Sequence, residues 1–184
     1  IGVLGSAKNA EAVAAILAAH PRTPVVLDPV LASGRGDPLS DSETVRVLRL
    51  SLLPRTTVLT PNSVEARRLA LEAPDADLSG CALALAGLGC KYVLVTGTHE
   101  AGATVVNTLY DASGMLRQDH WPRLPGEFHG SGCTLASALA AFLARGMAIP
   151  EAARAAQAYT WKTLEAGFAP GRGQHLPNRL FDTK

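Results

Sequence analysis

Short runs of β-branched and aliphatic residues alternate along this chain with longer, alanine-rich stretches of helical spacing, the pattern of βα units around a largely parallel sheet. Ile1 to Leu4 reads as a strand leading into a helix from Lys8 to His20, which Pro21 and Pro24 end before the strand Val25 to Leu27. The segment Ala32 to Ser42, with glycines, a proline and small polar residues, predicts a mobile connection suited to a lid. A helix from Glu43 to Leu52 follows, then the strand Val58 to Thr60, which stops at Pro61 where the helix Ser63 to Leu71 begins. Ala82 to Leu88 forms another helix, closed by Gly89. Tyr92 to Thr96 is a buried strand, Thr104 to Tyr110 another, Asp111 to Gly114 a turn, and Leu116 to Trp121 the continuing meander. The helix Thr134 to Arg145 closes at Gly146, and Pro150 opens a last helix to Glu165. The expected class is α/β.

Composition narrows the setting. With 184 residues, 47% hydrophobic and 18% charged, the chain supports one buried core and reads as one domain, 1–184. Seventeen Lys and Arg against 16 Asp and Glu leave a net charge of +1 without a charge run, which argues against nucleic acid and anionic membranes as partners. The apolar stretches Cys81 to Leu88 and Thr134 to Ala144 fall short of the roughly 20 residues that cross a bilayer. Cys81, Cys90 and Cys133 form neither a CxxC pair nor a Cys/His cluster, so the expected setting is a reducing cytoplasm. The chain opens at Ile1, inside a strand-like run and without an initiator Met, as expected of the carboxy-terminal portion of a longer protein.

Four strand ends carry candidate chemistry. Gly130, Ser131, Gly132 and Cys133 directly precede an amphipathic helix, where glycines free backbone N–H groups to form an anion cradle. The helix dipole there should lower the pKa of Cys133, making it a candidate base or nucleophile, against an inert cysteine on a buried helix. Asp28 ends a strand and suits a magnesium ion or its water, although an Asp before Pro is also a common turn residue. Asn62 and Glu65, one helical turn apart, could orient a hydrated metal, or simply form a capping box. Thr96 and Gly97 end a further strand, where a hydroxyl and bare backbone could contact phosphate. His99, His120, His129 and His175 lack metal-ligand spacing, and Trp121 and Trp161 read as packing anchors. Together the four ends suit phosphoryl transfer, without a Walker A or protein-kinase signature.

The stretches VVLDPVLASGRGDPL (Val25 to Leu39), LLPRTTVLTPNSVEARRL (Leu52 to Leu69), YVLVTGTHE (Tyr92 to Glu100) and FHGSGCTLASALAAFLARG (Phe128 to Gly146) resemble the hydroxymethylpyrimidine/phosphomethylpyrimidine kinases of thiamine biosynthesis. The resemblance spans nearly the whole chain in order. It implies a ribokinase-like sandwich, a central mostly parallel sheet flanked by helices, and transfer of the ATP γ-phosphate to a hydroxymethylpyrimidine and then to its monophosphate. By position it implies Cys133 as catalytic base, and Gly130, Ser131 and Gly132 as the anion hole. It implies Asp28, Asn62 and Glu65 at Mg2+ and the ATP phosphates, with Asp28 and Glu65 as the metal carboxylates. Thr96 and Gly97 would touch ATP phosphate, and Val30 with Leu31 would lie near the pyrimidine. The resemblance also implies a homodimer. Leu31 stands where many members have Met, and Thr96 where many have Lys; the family's amino-terminal strand, glycine-rich segment and pyrimidine-binding Gln have no counterpart here. Two other readings stand beside it: a pyridoxal-type kinase, and a non-catalytic nucleotide-binding relative.

Overall fold

The structure, a computed structural model, describes residues 1–33, 36–73 and 75–183. In chain order the elements are α1 (Ala7–Ala19), β1 (Val26–Leu27), α2 (Ser42–Val47), β2 (Val58–Leu59), α3 (Ser63–Ala70), α4 (Leu78–Gly87), β3 (Tyr92–Thr96), β4 (Thr104–Asp111), β5 (Gly114–Pro122), α5 (Ser131–Ala144) and α6 (Ile149–Glu165). They form one sheet in the order β1-β2-β3-β4-β5. The β1–β2 and β2–β3 pairs are parallel, with Val26 beside Val58 and Val58 beside Tyr92, whereas β3–β4 and β4–β5 are antiparallel.

Because side chains alternate across a strand, this register sorts the apolar residues onto two faces. Leu27, Leu59, Val93 and Val95 pack on one side with Leu48, Leu69, Leu85 and the small residues of α1 and α4. Val26, Val58, Leu94 and Leu109 pack on the other with Leu135, Leu139, Ala152 and Ala156 of α5 and α6. The result is the expected α/β sandwich of helices on both faces of a sheet. The sheet is mixed: the short connection between Thr96 and Thr104 folds β4 back on β3, and the turn Asp111 to Gly114 folds β5 back on β4, with Ser113 N–H donating to Asp111 Oδ1 at 2.8 Å.

Other expectations shift locally. Ile1 to Leu4 is not a strand over its length: the Ile1 nitrogen donates to Val26 O and its carbonyl accepts from Asp28 N–H, each at 2.9 Å. The chain then turns at Gly5 (φ 73°), and Ser6 caps α1 through Asn9 N–H. The expected helix Glu43 to Leu52 starts regularly as α2, widens over Leu48–Leu52 into an i→i+5 turn, and tightens over Leu53–Arg55. Helix α4 starts four residues before the expected Ala82 because Asp77 accepts Gly80 N–H at 2.9 Å, a cap that outweighs the loop-like Ser79 and Gly80. The candidate lid folds on itself through an Ala32–Pro38 bridge and Leu39 N–H to Leu31 O; its residues 34 and 35 lie outside the described residues. Among the described residues no helix is long and apolar enough to cross a membrane.

Leu59 sits mid-sheet with no exposed surface. Leu59→Ala is expected to cost about 3 kcal/mol, from lost transfer energy and the cavity left behind, measured as a lower urea midpoint with unchanged slope.

Candidate active site

Parallel strands end their carboxyl ends on one side, and β1, β2 and β3 deliver Asp28, Asn62 and Thr96 to the same rim. Three residues beyond β2, Asn62 pairs with Thr96, whose N–H donates to Pro61 O at 2.9 Å. Asn62 also starts α3: its Oδ1 accepts Glu65 N–H at 2.9 Å, while Glu65 Oε2 accepts Asn62 N–H at 3.0 Å. The capping box therefore forms, and the same carboxylate reaches further. Glu65 Oε1 accepts Leu31 N–H at 3.0 Å, tying the segment after β1 to the start of α3. Burial pushes the Glu65 carboxyl above its ordinary range, opposed by these two N–H groups and by His99 and Arg68.

Asp28 is 7% exposed. Burial, then the facing Glu65 charge, pushes its carboxyl up to about 7, while Cys133 and the Val30 N–H pull the other way. Val30 is a β-branched residue at φ 35°, a strained conformation that turns the chain so that Val30 serves Asp28 and Leu31 serves Glu65. Leu31, expected near the substrate, turns its side chain into the core at 1% exposure; only its backbone reaches the rim.

The fourth component arrives from the other face. Helix α5 begins after Gly130 (φ 87°) with no side-chain cap, whereas α1, α2, α3 and α4 are capped by Ser6, Asp41, Asn62 and Asp77. The first-turn N–H groups of Ser131, Gly132 and Cys133 thus have no carbonyl of their own helix to serve. A Cβ on Gly132 would stand 3.5 Å from Asp28 Oδ2, so the glycine loop and the carboxylate face each other across a narrow gap. Cys133 is exposed and interacts with Asp28. Although the residue is exposed, partial desolvation of the thiol by surrounding atoms and that carboxylate push it above the ordinary value, against the lowering expected from the helix dipole alone; Arg179 opposes them. Cys90, by contrast, is buried with its thiol pushed up to about 12, donating to Tyr92 O.

Gly97 plays a different part from the expected one. Its N–H donates to Asn107 Oδ1 at 3.1 Å, its carbonyl accepts Glu100 N–H at 3.0 Å, and a Cβ there would run into the Val106 carbonyl. Close approach of β4 accounts for the glycine, and neither backbone polar group is left for a phosphate. Asn107 Nδ2 in turn donates to Gln157 Oε1 at 3.0 Å, and Gln157 Nε2 to Asp119 Oδ2 at 3.0 Å, a buried polar chain to α6. The two tryptophans do anchor packing: their rings stack at 6.3 Å, and Trp121 Nε1 donates to Gln157.

One residue at this rim carries no local sequence signal. Arg179, in the Gly- and Pro-rich tail, donates from Nε to Thr134 Oγ1 at 3.0 Å and brings Nη2 within 3.1 Å of the Cβ position of Gly130. Pairing of the tail with the loop before α5, through His129 N–H to His175 O at 2.9 Å and His175 N–H to Glu127 O at 2.8 Å, brings it there.

Among the described residues no three His, Cys, Asp or Glu gather to hold a metal. Two facing carboxylates do suit Mg2+, which binds through one or two carboxylates plus substrate phosphates. Asp28 is the less committed of the pair, since each Glu65 oxygen already accepts an N–H and keeps one lone pair for a metal-bound water.

The profile of one protein family, phosphomethylpyrimidine kinase, matches residues 1–178. The chain belongs to the phosphomethylpyrimidine kinase family. Among relatives of this family, the hydroxymethylpyrimidine/phosphomethylpyrimidine kinase of Streptomyces coelicolor is 41% identical over 178 residues, covering 94% of this chain and 64% of its own. Among solved structures, Bacillus subtilis pyridoxal kinase in an ADP complex superimposes with TM-score 0.83 and 26% identity, covering 97% of this chain and 67% of that one. Staphylococcus aureus pyridoxal kinase with AMP-PCP, at 23% identity and TM-score 0.89 over 100% of this chain and 67% of that one, shares the fold. This member of the family thus spans less than two thirds of the length of the Streptomyces relative.

Two measurements follow from this geometry. A carboxyl whose folded pKa is raised from 3.8 to about 7 holds its proton in the folded state, so its contribution is full at low pH and is lost as pH rises through that window. Asp28→Asn is therefore expected to stabilise the protein at pH 8, on the order of 2 kcal/mol, with the difference shrinking toward pH 5 in paired thermal melts. Gly97→Ala is expected to destabilise by about 2 kcal/mol or more through the clash with β4, seen as a lower melting temperature at every pH.

Proposed function

We propose that the whole protein uses Mg-ATP to phosphorylate 4-amino-5-hydroxymethyl-2-methylpyrimidine and then its monophosphate, yielding the diphosphate for thiamine biosynthesis. The observation that carries this reading is the uncapped N-terminus of α5, with Cys133, facing the Asp28 carboxylate at the strand ends, with the Glu65 charge acting on Asp28. Membership of the family and the names of its relatives supply the substrate class.

In this reading the N–H groups of Ser131, Gly132 and Cys133 bind the oxygens of the transferring phosphoryl group, where negative charge must be held. The acceptor hydroxyl oxygen forms a bond to the γ-phosphorus. The bond from that phosphorus to its bridging oxygen breaks, its electron pair leaving with ADP, and the hydroxyl proton passes to the Cys133 thiolate. Asp28 and Glu65 would hold Mg2+, which supplies charge neutralisation of the phosphates when bound. Asn62 holds Glu65 in place through the capping box, and Thr96, paired beside Asn62, would offer its hydroxyl to ATP phosphate. Val30 lines the acceptor side. We place the work in the cytoplasm, in a homodimer of a single kinase domain. The ADP-bound Bacillus subtilis structure supports nucleotide use, and the similarity to a pyridoxal kinase gives pyridoxal as the competing acceptor.

The test uses the full-length protein. Cys133→Ala is expected to lower kcat by about 100- to 1,000-fold with nucleotide affinity nearly unchanged; an unaffected rate overturns the assigned base. A raised thiol pKa places the rising limb of kcat/KM on the alkaline side of neutrality, and Cys133→Asp should move that limb to lower pH. Competition between the hydroxymethylpyrimidine and pyridoxal as acceptors separates the two substrate readings.

A further inference from the structure

Arg179 is an exposed cation whose side chain is held at the start of α5. Its side chain is fixed at Nε by Thr134 Oγ1, and Thr134 is itself fixed, its hydroxyl donating to Gly130 O at 2.8 Å. Its backbone is fixed by Tyr159, whose hydroxyl donates to Arg179 O at 2.8 Å, and by the neighbouring Asn178 N–H to Thr163 O at 2.8 Å. The guanidinium lies over Gly130, at the positive end of the α5 dipole, and no ion pair joins it to a carboxylate among the described residues. A fixed cation beside a positive helix end is a repulsive pair until something negative sits between them. The Nη donors have no protein partner among the described residues, and a planar fork of that kind matches phosphate oxygens in two-point contact.

We infer that Arg179 is a phosphate-binding residue of this site, donating its Nη groups to phosphoryl oxygens held on the N-terminus of α5. The inference rests on the phosphoryl-transfer reading of that helix end and adds to it the one side-chain cation. The sequence separation explains why it escapes notice. Thr134 and Arg179 are 45 residues apart, and only the pairing of His175 with the loop before α5 brings the tail across. Arg179 also lowers the thiol pKa of Cys133 that burial raises, so its charge is felt at the proposed base as well.

The experiment titrates the full-length protein with tripolyphosphate, and separately with AMP-PCP, in wild type, Arg179→Gln and Arg179→Lys. Affinity for both is expected to fall about tenfold in Arg179→Gln and less in Arg179→Lys, with a weaker salt dependence in the neutral variant. The melting temperature without anion should hold or rise, because an exposed, unpaired cation is removed. A residue acting only as a latch for the tail would instead lower the melting temperature and leave anion affinity alone. Equal affinity in wild type and Arg179→Gln, or no tripolyphosphate binding in wild type, overturns the inference. Turnover is measured in parallel. Failure of the wild type to phosphorylate the hydroxymethylpyrimidine would sink the substrate reading, while the anion titration still decides Arg179.

Discussion

Both oxygens of one buried carboxylate hold the rim of this site together. Glu65 ties Leu31 after β1 to Asn62 after β2, and backbone pairing of Asn62 with Thr96 at the end of β3 adds the third strand end. A buried carboxylate is costly unless its oxygens are satisfied. Here each accepts a backbone N–H, and the strained backbone of Val30 is what lets Leu31 present one of them. The strain and the burial cost are tolerated because the surrounding sheet packs on both faces.

That constraint sets the electrostatics of the neighbouring carboxylate. Asp28 faces Glu65 in a buried setting and is raised to about 7, a value poised at neutrality, where a bound cation would draw out its charge. The opposing wall is positive: unserved N–H groups of α5 and the Arg179 guanidinium. Asp28 faces the α5 N-terminus across a narrow gap with the Glu65 charge beside it, so negative and positive groups meet at this rim. The stability given up at Asp28 and Val30 follows from this arrangement, as is usual at sites built for ligands.

Much of this was legible in the chain. Alternating β-branched runs and alanine-rich stretches identified the layers, since burial on both faces of a sheet demands them. The positions of Asp28, Asn62, Glu65, Thr96 and the Gly130 to Cys133 loop at the starts and ends of elements were readable because strand ends and helix starts carry local punctuation. The capping box between Asn62 and Glu65 is local, and it forms as the spacing suggests. The early start of α4 was not read, because a single Asp77 cap decides it against two loop-forming residues.

What the chain by itself determined is the set of local choices: element type, caps, the glycine turn before α5, and membership of a kinase family carried by four motifs. What only the tertiary structure decided are the relations between residues distant in sequence. Gly97 proved to be a glycine because β4 lies against it, Leu31 a core residue because Val30 turns the chain inward, and Cys133 a thiol raised rather than lowered because partial desolvation and then Asp28 outweigh the dipole. Arg179 reaches the anion side through a tail folded back across α5. Propensity and spacing act over one or two turns of chain, whereas desolvation and Coulomb forces act over distance in space, and only the fold sets that distance.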